Sequence, residues 1–168
     1  AELIDLGQMQ ELLDNLCDAM GVSAAIIEPC GEVLVAARWR RICTAFHRSN
    51  DQTRARCIHS DTVLAQQLRE GEPLSCYRCG NGLTDAASPI MIDGHHVGNV
   101  FVGQLLLQPA DEDFFRRQAA KFGFDEEDYL HALREVPVVS KERLSAILAS
   151  LAGLARLVAS IGLERLRG

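Results

Sequence analysis

The stretch Ser88-Pro89-Ile90-Met91-Ile92-Asp93-Gly94-His95-His96-Val97-Gly98-Asn99-Val100-Phe101-Val102-Gly103-Gln104-Leu105-Leu106-Leu107 decides the fold. Its two apolar runs, Ser88 to Ile92 and His96 to Leu107, are joined by Asp93-Gly94, a pair that suits the positive φ angles of a tight hairpin turn. The second run also carries Gly98, Asn99, Gly103 and Gln104. Glycines permit close approach of another group to the backbone and the amides supply polar anchors, so this strand is expected to floor a pocket.

Working outward, Ala24 to Ile27 and Val33 to Ala36 form a second pair of apolar runs around Glu28-Pro29-Cys30-Gly31-Glu32, and predict another hairpin. Before it, Asp5 followed by Gln8 reads as a helix cap, and Met9, Leu12, Leu13, Leu16, Cys17 and Met20 recur at helical spacing up to Gly21. Trp39, Ile42, Cys43, Phe46 and His47 share one side of a short helix. Ser49-Asn50-Asp51 opens another, whose stripe of Cys57, Asp61, Leu64, Ala65 and Leu68 runs to Gly71. Cys76 to Asp85 reads as a loop. Helices around Asp113 to Phe122 and Glu126 to Leu133 follow, each bounded by Gly or Pro.

In the last helix Leu144, Ile147, Leu151, Leu154, Val158 and Ile161 step by alternating threes and fours, the spacing of a coiled-coil seam, so a homodimer through this helix is expected, with packing of the stripe on its own domain as the alternative. The ending Glu164-Arg165-Leu166-Arg167-Gly168 carries no stop signal, as if cut from a longer helix. The pattern is one domain over 1–168 of α+β class: an antiparallel sheet flanked by helices, with a long C-terminal signalling helix.

Composition bounds what such a domain does. The 168 residues are 48% hydrophobic and 24% charged, with 17 Lys and Arg against 23 Asp and Glu, a net charge of -6. No net positive field draws the chain to phosphate, so direct nucleic-acid binding is not expected. Neither a signal peptide nor an uninterrupted apolar span is legible, so no membrane partner is expected and the cytoplasm is the expected compartment. Its six Cys would then be reduced, which favours buried thiols or metal ligands over disulfides.

Reactive side chains concentrate between residues 39 and 85. Cys43, Cys57, Cys76 and Cys79 offer four thiolates, enough for zinc or an iron-sulfur cluster, although only the Cys76-x-x-Cys79 pair has a familiar ligand spacing. Buried thiols lining a core are the alternative. His47, one turn after Cys43, serves either as a structural histidine or beside a ligand. Asp61, one turn after Cys57, sits on an apolar stripe and needs a partner. No nucleophile elbow, phosphate loop, dinucleotide fingerprint or zinc-protease motif occurs, so the chain is not expected to be an enzyme.

Taken in order, Trp39…Ile42-Cys43-Thr44-Ala45-Phe46-His47-Arg48, Cys57-Ile58-His59-Ser60-Asp61, Tyr77-Arg78-Cys79-Gly80-Asn81-Gly82-Leu83-Thr84-Asp85…Pro89-Ile90, Gly94…Val97-Gly98-Asn99…Gly103-Gln104, Phe122 to Tyr129 and Val136 to Ser140 resemble the PocR sensory domain family. The resemblance implies a PAS-like sensor placed ahead of an effector, with short diols or simple hydrocarbon derivatives as ligands. It also implies that Cys43, Cys57 and Cys79, Asp61 and Gln104 occupy recurring family positions, whereas Cys76 does not, and Gly80 stands where His or Lys is common. The expected ligand-binding set is Trp39, Phe46, His47, Asp61, Tyr77, Asn81, Phe101 and Gln104. The expected metal set, if a cluster or zinc is held, is Cys43, Cys57, Cys76 and Cys79.

Overall fold

A computed structural model describes residues 5–69 and 74–167, with side chains described up to residue 161 apart from that of residue 69. Gly71, the expected stop of the second long helix, and the side chains of the 164–168 ending lie outside the described residues.

The elements run α1 (Leu6–Met20), β1 (Ser23–Ile27), β2 (Val33–Ala37), a π-helical turn (Ile42–His47), α2 (Asp51–Arg69), β3 (Ser75–Arg78), β4 (Thr84–Ile92), β5 (His95–Leu105), α3 (Glu112–Phe122), α4 (Glu126–Arg134) and α5 (Lys141–Arg167). Local chemistry accounts for most boundaries. Asp5 accepts the Gln8 N–H at the start of α1, and Gly21 ends that helix with φ at 69°, a conformation cheap only for glycine. Asn50 accepts the Gln52 and Thr53 N–H groups at the start of α2, and Asp111 and Asp125 do the same for α3 and α4. Asp93 and Gly94 both take positive φ, 49° and 78°, as a two-residue turn between β4 and β5 requires.

The five strands form one antiparallel sheet in the order β2-β1-β5-β4-β3. This is the expected α+β architecture, a sheet flanked by helices with a long C-terminal helix. Two expectations are corrected. Cys76 to Asp85, read as loop, is strand at both ends: Cys76 to Arg78 belong to the edge strand β3, which pairs with β4, Cys76 facing Ala86 and Tyr77 facing Asp85 in register, and Thr84 and Asp85 begin β4. Four residues with polar ends give too short a run to signal a strand; the neighbour β4 supplies the pairing. Trp39 precedes the helical turn rather than belonging to it.

The sheet separates two apolar clusters. On one face Val100, Val102, Leu105, Ala86 and Ile90 pack with Leu13 and Cys17 of α1 and with Leu144, Ile147, Leu148 and Leu151 of α5. The other cluster joins Ile42 and Phe46 of the π turn to Phe115 of α3 and to Tyr129, Leu130 and Leu133 of α4. The seam expected to dimerise is therefore divided. Leu144, Ile147 and Leu151 are buried within this domain, where each contributes about 1.5–3 kcal/mol. Leu154 and Val158 line a shallow groove with α1, and Leu157 and Ile161 are exposed. Lys141–Ile161 is also long and apolar enough to cross a bilayer by length and composition, and 33% of it is buried in the domain.

Candidate functional site

The site begins at an irregularity in the sheet. Thr84 faces Leu105 and Ala86 faces Val102, so Asp85 is opposed by both Gly103 and Gln104, the two-against-one arrangement of a β-bulge. A Cβ at position 103 would overlap the Asp85 carboxylate, which is why glycine stands there. Gln104 adopts φ of 55°, uncommon for a residue with a side chain. Its N–H donates to Asp85 Oδ1 at 2.9 Å, and its side-chain Oε1 accepts the N–H of Arg40. The bulge thus ties β4 to β5 and anchors the segment leading into the π turn.

Over this surface lies a cavity of about 260 Å³. Ala25 and Ile27 of β1, Asn99, Phe101, Gly103 and Gln104 of β5, and Asp85 of β4 form its floor. The π turn contributes Cys43, His47 and Arg48, α2 contributes Cys57 and Asp61, and Cys79 and Leu83 close the end near β3. Trp39, Gly31 and Val33, all exposed, stand at the rim. The wider spacing of the π turn is visible in the Arg48 N–H, which donates to the Cys43 carbonyl five residues back at 2.9 Å. Such turns recur at functional positions in other proteins.

Each polar group is held by a specific neighbour. His47 is fully buried; burial first, then the positive charges of Arg56 and Arg48, push its pKa down to about 4. The ring is therefore neutral at neutral pH. Its Nε2 meets the Tyr129 hydroxyl at 2.6 Å, while its Nδ1 is buried without a partner among the described residues. Asp85 is pushed up to about 6, chiefly by burial and against the pull of the Gln104 N–H. Arg48 lies 3.6 Å from Asp61 and stacks on the Trp39 ring at 5.4 Å. Burial raises the Cys43, Cys57 and Cys79 thiols, Cys79 to about 11, so all three are protonated at neutral pH.

Cys43, Cys57 and Cys79, far apart in the chain, line one hollow together with Trp39, His47, Asp61, Phe101 and Gln104. The other expected residues stand elsewhere. Cys76 is exposed on β3, outside the cavity lining. Phe46 packs edge-on against Phe124 and Tyr129, and Tyr77 approaches His59. Asn81 is buried behind the cavity wall, donating to the Thr53 carbonyl at 2.8 Å and to Cys57 Sγ at 3.3 Å. Arg48 and Asp85 were not anticipated. The signal for Asp85 lay in Gly103-Gln104, since a glycine opposite an acid in a paired strand marks a place where a side chain crosses the backbone.

The three sulfurs do not form a ready metal centre. Among the described residues, one group of His, Cys, Asp or Glu has its donor atoms all within 4.8 Å of one another, and it is Glu28, Cys30 and Glu32 in the β1–β2 turn. A tetrahedral zinc site needs its sulfurs nearer than that and deprotonated.

Comparison with known proteins identifies the family. The sequence model of the family described as the sensory domain found in PocR matches residues 2–163. The chain is 28% identical over 100 residues to the Regulatory protein PocR of Salmonella typhimurium, a match covering 59% of this chain and 33% of that protein. The matched part thus spans about a third of the length of that curated relative. With the family model covering nearly the whole sequence, the chain belongs to the family of sensory domains found in PocR.

Proposed function

We propose that this domain is the ligand-sensing input unit of a cytoplasmic bacterial regulatory protein, and that its signal is a small organic molecule bound in the cavity between the bulged sheet and the Cys43 and Cys57 helices. One observation carries the reading: about 260 Å³ of space bordered by apolar side chains and by buried polar atoms, including a fully buried imidazole with a free nitrogen. Apolar walls with a few fixed polar anchors are what small-molecule sites consist of. The volume suits a compound of a few carbons, and the family resemblance favours a short diol or simple hydrocarbon derivative.

Transmission would follow from the layering. The cavity and α5 use opposite faces of β5, so a ligand that prefers one strand geometry shifts the packing of the helix toward an attached effector domain. The exposed Leu157 and Ile161 then fit a second copy of the chain, giving the homodimer through which such a shift would act. Native mass spectrometry and thermal shift against a panel of short diols, ketones and alcohols test this reading. A retained or added mass with a raised melting temperature is expected; no response across the panel overturns it.

Convergence of Cys43, Cys57 and Cys79 favours a second reading, a redox or gas sensor holding zinc or an iron-sulfur cluster. These thiols would have to move together and lose their protons to bind it. Iron, zinc and sulfide analysis of anaerobically purified protein decides it: near-stoichiometric metal supports it, and less than a tenth of an equivalent, as an order-of-magnitude threshold, removes it.

A further inference from the structure

Behind the cavity, a chain of hydrogen bonds specifies where one proton sits. Arg56 Nη1 donates to Gln118 Oε1 at 3.2 Å, which orients the Gln118 amide with its nitrogen toward the interior. That nitrogen donates to the Asn81 carbonyl at 2.9 Å and to the Tyr129 hydroxyl oxygen at 2.8 Å. The hydroxyl has accepted one hydrogen bond, and its own proton needs an acceptor in a buried site. His47 Nε2, at 2.6 Å, is the atom in reach. A neutral imidazole whose Nε2 accepts must carry its proton on Nδ1. That N–H is buried, unpartnered among the described residues, and belongs to a side chain lining the cavity.

We propose that His47 donates a hydrogen bond from Nδ1 to the bound molecule, that Tyr129 and Gln118 act as positioning residues holding this tautomer, and that the cavity consequently selects an uncharged guest bearing an accepting oxygen. The inference rests on the cavity being the ligand site and specifies the chemistry of its occupant. A buried donor without an acceptor is rare in proteins, and a guest oxygen would satisfy it. A second donor, Arg48 Nε, is likewise buried without a partner and lines the same hollow. Asp61, Asp85 and Glu28 also border the space against the single Arg48 guanidinium, which disfavours a carboxylate guest. A cationic guest would meet Arg48 and an imidazole offering a proton rather than a lone pair.

The test uses the 168-residue chain uniformly labelled with ¹⁵N. Without ligand, long-range ¹H–¹⁵N spectra are expected to show His47 protonated on Nδ1, and Tyr129→Phe is expected to relax that preference. An Nε2–H tautomer in the unsubstituted protein overturns the proposal, whatever the variants do. Cyclopentanone, cyclopentanol and cyclopentylammonium, similar in size, are then titrated separately. Both oxygen compounds should shift the His47 Nδ1–H resonance, and the ammonium should not. His47→Asn places an amide nitrogen near the Nδ1 position and should keep the ketone affinity within about threefold, whereas His47→Gln should weaken it about tenfold. Ketone-induced shifts at Phe101 and Gln104 with none at His47 would overturn this proposal and leave the cavity reading standing. No shift at any cavity residue with any of the three probes would sink both.

Discussion

Asp85 Oδ1 accepts the backbone N–H of Gln104 at 2.9 Å across the β4–β5 bulge, in space left open by the missing side chain of Gly103. One carboxylate thus compensates a left-handed residue near the end of β5 and also forms part of the cavity floor.

Gly103→Ala should therefore expel the Asp85 carboxylate from the bulge. Loss of a charge-assisted hydrogen bond and the accompanying strand distortion predict a destabilisation of about 2 kcal/mol. Chemical denaturation measures it, and Gly103→Ala combined with Asp85→Ala should recover part of the loss because the overlapping group is gone. Purely additive effects would show that the two residues do not compete for the same space.

Asp85 and His47 should oppose one another in the pH dependence of stability. Asp85 has its pKa raised from 3.8 to about 6, so the folded state holds that proton more tightly, and stability from this group is lost as pH rises from about 4 to about 6. His47 has its pKa lowered from 6.5 to about 4, so stability from this group is lost as pH falls over nearly the same window. Their slopes nearly cancel in the native protein. Asp85→Asn keeps an acceptor for the Gln104 N–H and removes one slope. The variant should be more stable than the parent at pH 8 by about 2 kcal/mol, after allowing for water in the cavity, and equal to it near pH 4. Urea melts at both pH values check this; a difference constant with pH would refute it.

Thiol reactivity should divide the cysteines. Cys30 and Cys76 are exposed, while Cys17, Cys43, Cys57 and Cys79 are buried; burial raises these four thiols and Cys76 as well, so access divides them. Iodoacetamide at pH 8 should label Cys30 and Cys76 first, and peptide mapping should find the other four at least tenfold slower, since attack requires an accessible thiolate. An occupied cavity should slow Cys43, Cys57 and Cys79 further without changing Cys76.

Leu157 is 57% exposed on α5. Leu157→Glu should leave the melting temperature of the domain within a few degrees, yet abolish any dimer seen by sedimentation velocity, because one buried carboxylate per protomer opposes association. A dimer that persists in this variant would place the interface elsewhere.

Much of the fold was legible because period and punctuation coincide. Asp93-Gly94 announced the β4–β5 hairpin, and Asp5, Asn50, Gly21 and Gly123 marked helix ends with residues whose chemistry permits little else. β3 was not legible, since Ser75–Arg78 gains its pairing from β4 and its own four residues carry little pattern. Convergence of Cys43, Cys57 and Cys79 followed from the family resemblance, while their separate elements and unequal gaps left spacing silent about it. Arg48 and Asp85 escaped notice because their importance comes from neighbours remote in sequence, Asp61 and Trp39 for one and Gln104 for the other. Phe46, Tyr77 and Asn81 stood near the right segments, but the side chains support the wall rather than face the space.

The bulge also exchanges the parity of β5. Before it, Val100 and Val102 point toward α5 while Asn99 and Phe101 floor the hollow; after it, Leu105 points toward α5. The strand is thus a two-sided ruler with one extra notch. Deleting or adding a single residue at that notch would turn Leu105 and its successors over, trading greasy contacts with the output helix for contacts with the guest. Point substitutions can retune either side separately, whereas a change of length at this position would disturb both together.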